Sequence, residues 1–220
     1  MIADLLPPGV ESEEAYGDLL DAPLHAREAE LLARSPAARR REFATVRHCA
    51  RTALGRLGVP PTPILQGPAG APQWPSGVVG SMTHCPGYRA AAIARAGVFH
   101  SLGIDAEVHQ PLPDGGLHLI ALPAEQRHLA ELRRQDAAVH WDTLLFTTKE
   151  SVYKAWYPMT GTVLGFADAE VVLHPANGTF SARLLVPGPT VDGADLASFE
   201  GCWRVSNGLV LAAIAVPSAC

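Results

Sequence analysis

The chain has 220 residues with a formal net charge of −5, which argues against a polycation that seeks nucleic acid. Hydrophobic residues make up 48% and charged residues 18%, a balance of globular rather than disordered chains, and enough for one large domain or two small ones sharing a core. No stretch reaches the roughly 18 uncharged apolar residues of a membrane helix, and the opening Met1-Ile-Ala-Asp-Leu-Leu-Pro-Pro lacks the basic start and apolar run of a secretory signal.

In chain order, the segment to about Pro23 is acidic and irregular, with Glu11, Glu13, Glu14, Asp18 and Asp21 among prolines and glycines; it reads as a strand and loops. A helical pattern follows from Glu28 to Leu57, broken near Ser35-Pro36, where Ser35 resembles an N-cap and Pro36 a first helical residue. Phe43, Val46, Ala50, Ala53, Leu54 and Leu57 form its apolar stripe, and Arg39, Arg40, Arg41, Arg47, Arg51 and Arg56 make it basic. Pro60 to Gly80 is a loop rich in proline and glycine. Arg89–Ala96 and Val98–Ile104, joined by a turn at Ala96-Gly97, read as a hairpin. After the loop Pro111–Gly116, short helices are expected at Leu117–Leu122 and Ala124–Leu132. A strong helix runs from Trp141 until Pro158 stops it, and Asp168–Val216 alternates strand-like runs with turns. Cys49, Cys85, Cys202 and Cys220 include no Cys-x-x-Cys pair and read as reduced, cytosolic cysteines.

A weak internal repeat is visible. Phe43-Ala-Thr-Val-Arg-His-Cys-Ala-Arg51 parallels Phe146-Thr-Thr-Lys-Glu-Ser-Val-Tyr-Lys154, and Ala91–Ala94 parallels Ala212–Ala215. It is either chance in an alanine-rich chain or the mark of two related α+β halves, each a long helix on a small antiparallel sheet with a ligand cleft between them.

Four features carry chemistry. Asp105 and Glu107 sit two apart at the end of an apolar strand, so both carboxylates face one side: either two solvated acids, or oxygen ligands for Mg²⁺. Glu150 and Lys154 share a helix face, as a surface ion pair or, with Lys149, as part of a phosphate site in which Glu150 joins Asp105 and Glu107. Ser81, Thr83 and His84 precede the Cys85-Pro-Gly87 turn, as a phosphate loop or as a strand end with local side-chain bonds. The basic helix is either a solvated face or a phosphate clamp, because arginine binds phosphate in bidentate fashion. His84-Cys85 and His48-Cys49 do not have the spacing of a standard zinc site.

Taken in order, Arg40-Arg-Glu-Phe43 with Arg47, Gly70-Ala-Pro-Gln-Trp-Pro75, Gly80-Ser-Met-Thr-His84, Gly103-Ile-Asp-Ala-Glu107, and Trp141 through Phe146 to Lys149-Glu-Ser-Val-Tyr-Lys154 resemble the Sfp/EntD-type 4′-phosphopantetheinyl transferases of actinobacterial type. The resemblance runs from about Arg39 to Gly165 and implies an α+β, pseudo-twofold monomer of two similar halves, residues 1–105 and 106–220, with coenzyme A in the cleft between them. It implies Mg²⁺ at Asp105, Glu107 and Glu150, Lys154 and Lys149 at the pyrophosphate, and Arg39, Arg47, Thr83 and His84 near the 3′-phosphate. Glu150 is its candidate base and Lys154 its second catalytic group. The implied reaction moves the phosphopantetheine arm to a serine of apo acyl or peptidyl carrier proteins in the cytoplasm, with no nucleic-acid or membrane partner. Close relatives often carry a lysine before the position of Trp74, whereas Ile64–Ala71 has no basic residue; 3′-phosphate affinity is then weaker, or another arginine compensates. The competing readings are a metal-dependent phosphohydrolase of coenzyme A or nucleotides, and a non-catalytic module that binds coenzyme A or a carrier.

Overall fold

Two long stretches of helical periodicity, each with an apolar stripe, need apolar sheets to cover them, and the computed structural model, which describes residues 1–218, supplies two. In chain order the elements are β1 (Val10–Ala15), α1 (Ala26–Leu31), α2 (Ala37–Arg56), β2 (Leu65–Gln66), β3 (Pro72–Gln73), β4 (Val78–Cys85), β5 (Tyr88–Arg95) and β6 (Phe99–Val108). Then follow α3 (Gly116–Ile120), α4 (Pro123–Gln135), α5 (Trp141–Thr160), β7 (Ala169–His174), β8 (Thr179–Leu184), β9 (Thr190–Val191), β10 (Ala194–Asp195), β11 (Ser198–Ser206) and β12 (Leu209–Pro217). One antiparallel sheet has the order β1-β5-β4 and the other β6-β12-β11-β8-β7, with β2–β3 and β9–β10 as two-residue ladders. The fold is α+β.

The first sheet carries α2. Ala50, Ala53 and Leu54 are buried against Ala91 and Ile93 of β5, with Ile64 and Val78 closing the layer. The small alanines of β5 let the helix lie close to the strand. The second sheet carries α5, whose Leu144, Val152, Ala155 and Trp156 pack with Val171, Phe180, Ala212 and Ile214. Gly103 in β6 fixes how close α5 comes: a Cβ there would lie 2.0 Å from the Ser151 carbonyl oxygen.

The two sheets join side by side at β4 and β6 through side chains. Ser81 Oγ accepts from the Ile104 amide at 3.0 Å and Thr83 Oγ1 accepts from the Ala106 amide at 3.1 Å. These hydroxyls satisfy amides that would otherwise be buried without partners.

The structure departs from the expected elements at four places. The turn at Ala96-Gly97 exists, but the strands on either side do not form a hairpin: β5 pairs with β1 and β4, while β6 pairs with β12. Both strands are buried nearly throughout, so a local turn could not choose their partners. β4 begins at Val78, inside the expected Pro60–Gly80 loop, and runs to Cys85, so Ser81, Thr83 and His84 lie within a strand and not in a loop. Ser35 does not cap α2, whose N-cap is Pro36 without a side-chain bond. Pro158 lies inside α5, which continues to Thr160 and ends at Gly161 in the left-handed conformation. Loss of one N–H in the last turn is tolerated there because Ala155 and Trp156 are buried.

Residue 105, the expected end of the first half, lies within β6, which belongs wholly to the second sheet. Cys49, Cys85 and Cys202 are free thiols, and Cys220 lies outside the described residues. Among the described residues no helix is long and apolar enough to cross a membrane.

Candidate active site

Alternation along β6 sends Asp105 and Glu107 to the same side, toward α5, and the close approach at Gly103 brings the Glu150–Lys154 turn of that helix beside them. Lys154 Nζ donates to Asp105 Oδ1 at 2.6 Å, and Thr83 Oγ1 donates to the same oxygen at 3.0 Å. Lys154 therefore pairs with Asp105, 49 residues away in sequence, and not with Glu150 as a surface pair. Asp105 is 5% exposed, and its second oxygen, Oδ2, is buried without a partner.

The neighbouring acids feel this environment. Burial first, and the Asp105 charge second, push the Glu107 carboxyl up to about 7, with Lys154 opposing and Glu150 adding to the rise. Glu150 is also raised, by burial first and then by Asp105, against the pull of Lys154. Three neighbouring carboxylates, two of them raised by burial and by the Asp105 charge, with one buried oxygen left over, form an oxygen-only donor set for a hard divalent cation. Among the described residues no three such side chains converge as a ready-made metal cage. Mg²⁺ does not need one, since it keeps waters and takes one or two carboxylates plus phosphate oxygens. The residues present fit that ion.

Beside this cluster opens a cleft of about 540 Å³ between α2, β4, the 66–74 segment and the end of α5. Trp74, Phe43 and Tyr157 give it apolar walls, and Lys154, Arg39 and His84 give it charge. The Trp74 indole N–H donates to the Gly80 carbonyl at 2.9 Å, which fixes this wall. A smaller pocket of about 290 Å³ is lined by Lys149, Glu150, Val152, Tyr153 and Leu164, and Tyr153 lines both spaces.

Of the expected phosphate ligands, Arg39, His84 and Lys154 line the cleft. Arg47 lines it too, but it is buried: its Nε donates to the Ile64 carbonyl at 2.9 Å and its guanidinium stacks 3.1 Å over the Phe43 ring. Burial pushes it down to about 9, which leaves it cationic at neutral pH. Thr83 points the other way, into the β4–β6 seam, where it holds Asp105 instead of phosphate.

Lys149 does not line the large cleft. It is 4% exposed, pairs with Glu125 at 2.8 Å, and donates to the carbonyls of Phe166 and Ala169 at 2.6 and 3.1 Å. Glu125 in turn accepts from the amides of Leu122 and Val171. With its protons engaged in this buried network, the Lys149 ammonium ties α4 and the 166–169 segment to α5.

Sequence reasoning missed two contributors. Glu42 accepts from Arg39 on its own helix and meets His84 Nε2 at 2.5 Å. Its spacing of three from Arg39 announces the first contact, but nothing local announces the second. Glu28 is fully buried and accepts from Arg51 and the Ile64 amide, anchoring the segment that carries the Arg47 contact. Ser81, singled out with Thr83 from the sequence, forms the other half of the β4–β6 seam.

Two family models match the chain: the 4′-phosphopantetheinyl transferase N-terminal domain over residues 27–94 and the 4′-phosphopantetheinyl transferase superfamily over residues 101–199. Their division falls at the β5–β6 turn, where the chain passes from one sheet to the other. The chain is 57% identical over 219 residues to 4′-phosphopantetheinyl transferase Svp of Streptomyces mobaraensis, covering 98% of this chain and 89% of that one. It is 48% identical to 4′-phosphopantetheinyl transferase PptT of Mycobacterium tuberculosis, covering 97% of each. It is 49% identical to 4′-phosphopantetheinyl transferase Npt of Nocardia iowensis, covering 98% of this chain and 99% of that one.

Proposed function

The chain belongs to the 4′-phosphopantetheinyl transferase family, and on that premise we propose that it moves the phosphopantetheine arm of coenzyme A to a serine of apo acyl and peptidyl carrier proteins, releasing adenosine 3′,5′-bisphosphate. The observation that carries the reading is the Lys154–Asp105 contact, which joins the Lys-Glu-x-x-x-Lys helix to the Gly-Ile-Asp-x-Glu strand at the edge of a nucleotide-sized cleft.

The cleft takes the nucleotide end, with Trp74 and Phe43 as apolar walls and Arg39 and His84 at the 3′-phosphate. Arg47 adds positive charge from within the wall. Lys154 faces the pyrophosphate, and the arm passes Tyr153 into the smaller pocket beside Glu150. The serine oxygen forms a bond to the β-phosphorus, and the bond from that phosphorus to the bridging oxygen breaks. Glu150 is the base of this reading. Its raised carboxyl, like that of Glu107, holds a proton more readily than an ordinary glutamate, so either can accept the serine proton directly or through water. Asp105, oriented by Thr83, and Glu107 and Glu150 would hold Mg²⁺, which supplies positive charge against the pyrophosphate. Lys154 donates to the oxygens that gain charge as the bisphosphate leaves.

The chain is read as a cytoplasmic monomer of two halves related by a pseudo-twofold axis. Support comes from the placement of both repeated segments: Phe43–Arg51 lies in α2 on the alanine-rich β5, and Phe146–Lys154 lies in α5 on the sheet of the alanine-rich β12. The sheets differ in size, with three and five strands.

The test is incubation with coenzyme A, Mg²⁺ and an apo carrier, followed by mass spectrometry. The carrier gains the mass of the arm, and Asp105→Ala nearly abolishes the gain while the chain stays folded. Cleavage of coenzyme A without carrier labelling would make the chain a hydrolase. Unchanged turnover of Asp105→Ala at saturating Mg²⁺ would remove the metal from the account.

A further inference from the structure

Each basic side chain that lines the cleft has a carboxylate partner within the chain, and so do Arg51 and Arg89. Lys154 has Asp105, Arg51 and Arg47 have Glu28, Arg89 has Asp18, and Arg39 and His84 share Glu42. Of these four carboxylates, Glu42 is the one that lines the cleft. Glu28 is fully buried and Asp105 nearly so, each held by further hydrogen bonds. Glu42 is held differently: its Oε1 takes Arg39 Nη1 from its own helix and sits 2.5 Å from His84 Nε2 across the cleft rim. Arg39 Nη1 and His84 Nε2 are themselves 2.9 Å apart, so both nitrogens gather at one carboxylate oxygen. Their side chains are 42% and 43% exposed, and that of Glu42 22%, so the contacts can part without opening the core. Lys154 and Arg89 also stand close enough to act on His84, so Glu42 is an anion among cations.

We infer that Glu42 is an internal anion: its carboxylate occupies, in the free protein, the position that the 3′-phosphate takes when coenzyme A binds. The inference rests on the placement of the 3′-phosphate at Arg39 and His84 given above. Two nitrogens gathered at one carboxylate oxygen leave no room there for an incoming phosphate oxygen, so the phosphate displaces Glu42 from them. Glu42 thereby keeps the cationic rim ordered and closed to weaker anions, and it reduces affinity for the nucleotide that leaves as well as for the one that enters. This gives the chain a route to tune 3′-phosphate affinity other than adding a basic residue in the 64–71 segment.

The experiment is calorimetric titration of the wild type and Glu42→Gln with coenzyme A, dephospho-coenzyme A and adenosine 3′,5′-bisphosphate. The substitution keeps the side chain's shape and removes its charge. Coenzyme A and the bisphosphate are expected to bind about threefold to tenfold more tightly to Glu42→Gln, since partly exposed ion pairs no longer compete, while dephospho-coenzyme A changes little. Glu42→Ala repeats the test should the glutamine variant not fold, and must shift affinity in the same direction. Wild-type discrimination between coenzyme A and its dephospho form, with unchanged or weaker binding in the Glu42 variants, overturns the inference. Equal wild-type affinity for both overturns the 3′-phosphate placement, and the inference falls with it.

Discussion

Replacement of Gly103 by alanine tests whether the active site depends on the close approach of α5 to β6. The added Cβ would meet the Ser151 carbonyl oxygen at 2.0 Å, the Ala155 nitrogen at 2.8 Å and the Ala155 Cβ at 3.0 Å. A relaxed carbon–oxygen contact is about 3.2 Å, so the helix must retreat by about 1 Å at this point. The obstacle is helix backbone, which cannot turn aside as a side chain can. Overpacking of this kind costs about 1–3 kcal/mol, or roughly 3–10 °C in Tm for a chain of this size. Glu150 and Lys154 each adjoin a clashing residue, so the same retreat stretches the 2.6 Å contact from Lys154 to Asp105 beyond hydrogen-bond length. A 1 Å displacement of a positioned group costs on the order of a hundredfold in rate. Thermal unfolding by circular dichroism and single-turnover transfer to an apo carrier read both effects. Gly103→Ala with a Tm within about 2 °C of wild type and kcat within about threefold would refute the account of how α5 is seated.

Lys154→Gln should still bind coenzyme A but transfer at least about a hundredfold more slowly, because the lost contact strengthens in the transition state; near-normal kcat would reduce Lys154 to a counter-ion for Asp105. Lys149→Met should leave the Glu125 charge buried and alone, costing about 3–5 kcal/mol in urea unfolding, without a selective rise in KM for coenzyme A; a selective KM rise at normal stability would return Lys149 to the phosphate site. In buffer free of divalent ions, Glu107 keeps its proton in the folded chain up to about 7 while the unfolded chain loses it near the ordinary value of 4.5. The folded state binds more protons in that window, so stability falls as pH rises from about 4.5 to about 7 and then levels. Glu107→Gln should flatten that part of the curve, and an unchanged slope would place the cause in another group.

Sequence alone was sufficient for what depends on neighbours along the chain. The apolar stripe of α2, the long helix carrying Glu150 and Lys154, and the two-residue spacing of Asp105 and Glu107 are periodic signals, and periodicity is a local property. The same periodicity separates Lys149 from Lys154: five residues at about 100° each place them about 140° apart around the helix, so they cannot both face one ligand. What lies opposite each face is not local. That Lys149 meets Glu125 from α4, that Lys154 meets Asp105 from β6, that Thr83 holds a carboxylate, and that Glu42 reaches His84 were decided only when α5 settled on Gly103 and β4 came to lie beside β6. The parting of β5 and β6 at a turn that reads as a hairpin has the same origin. A turn sets direction over a few residues, whereas a strand buried on both faces takes the partner that buries it best, and for β6 that partner is β12, about a hundred residues later in the chain.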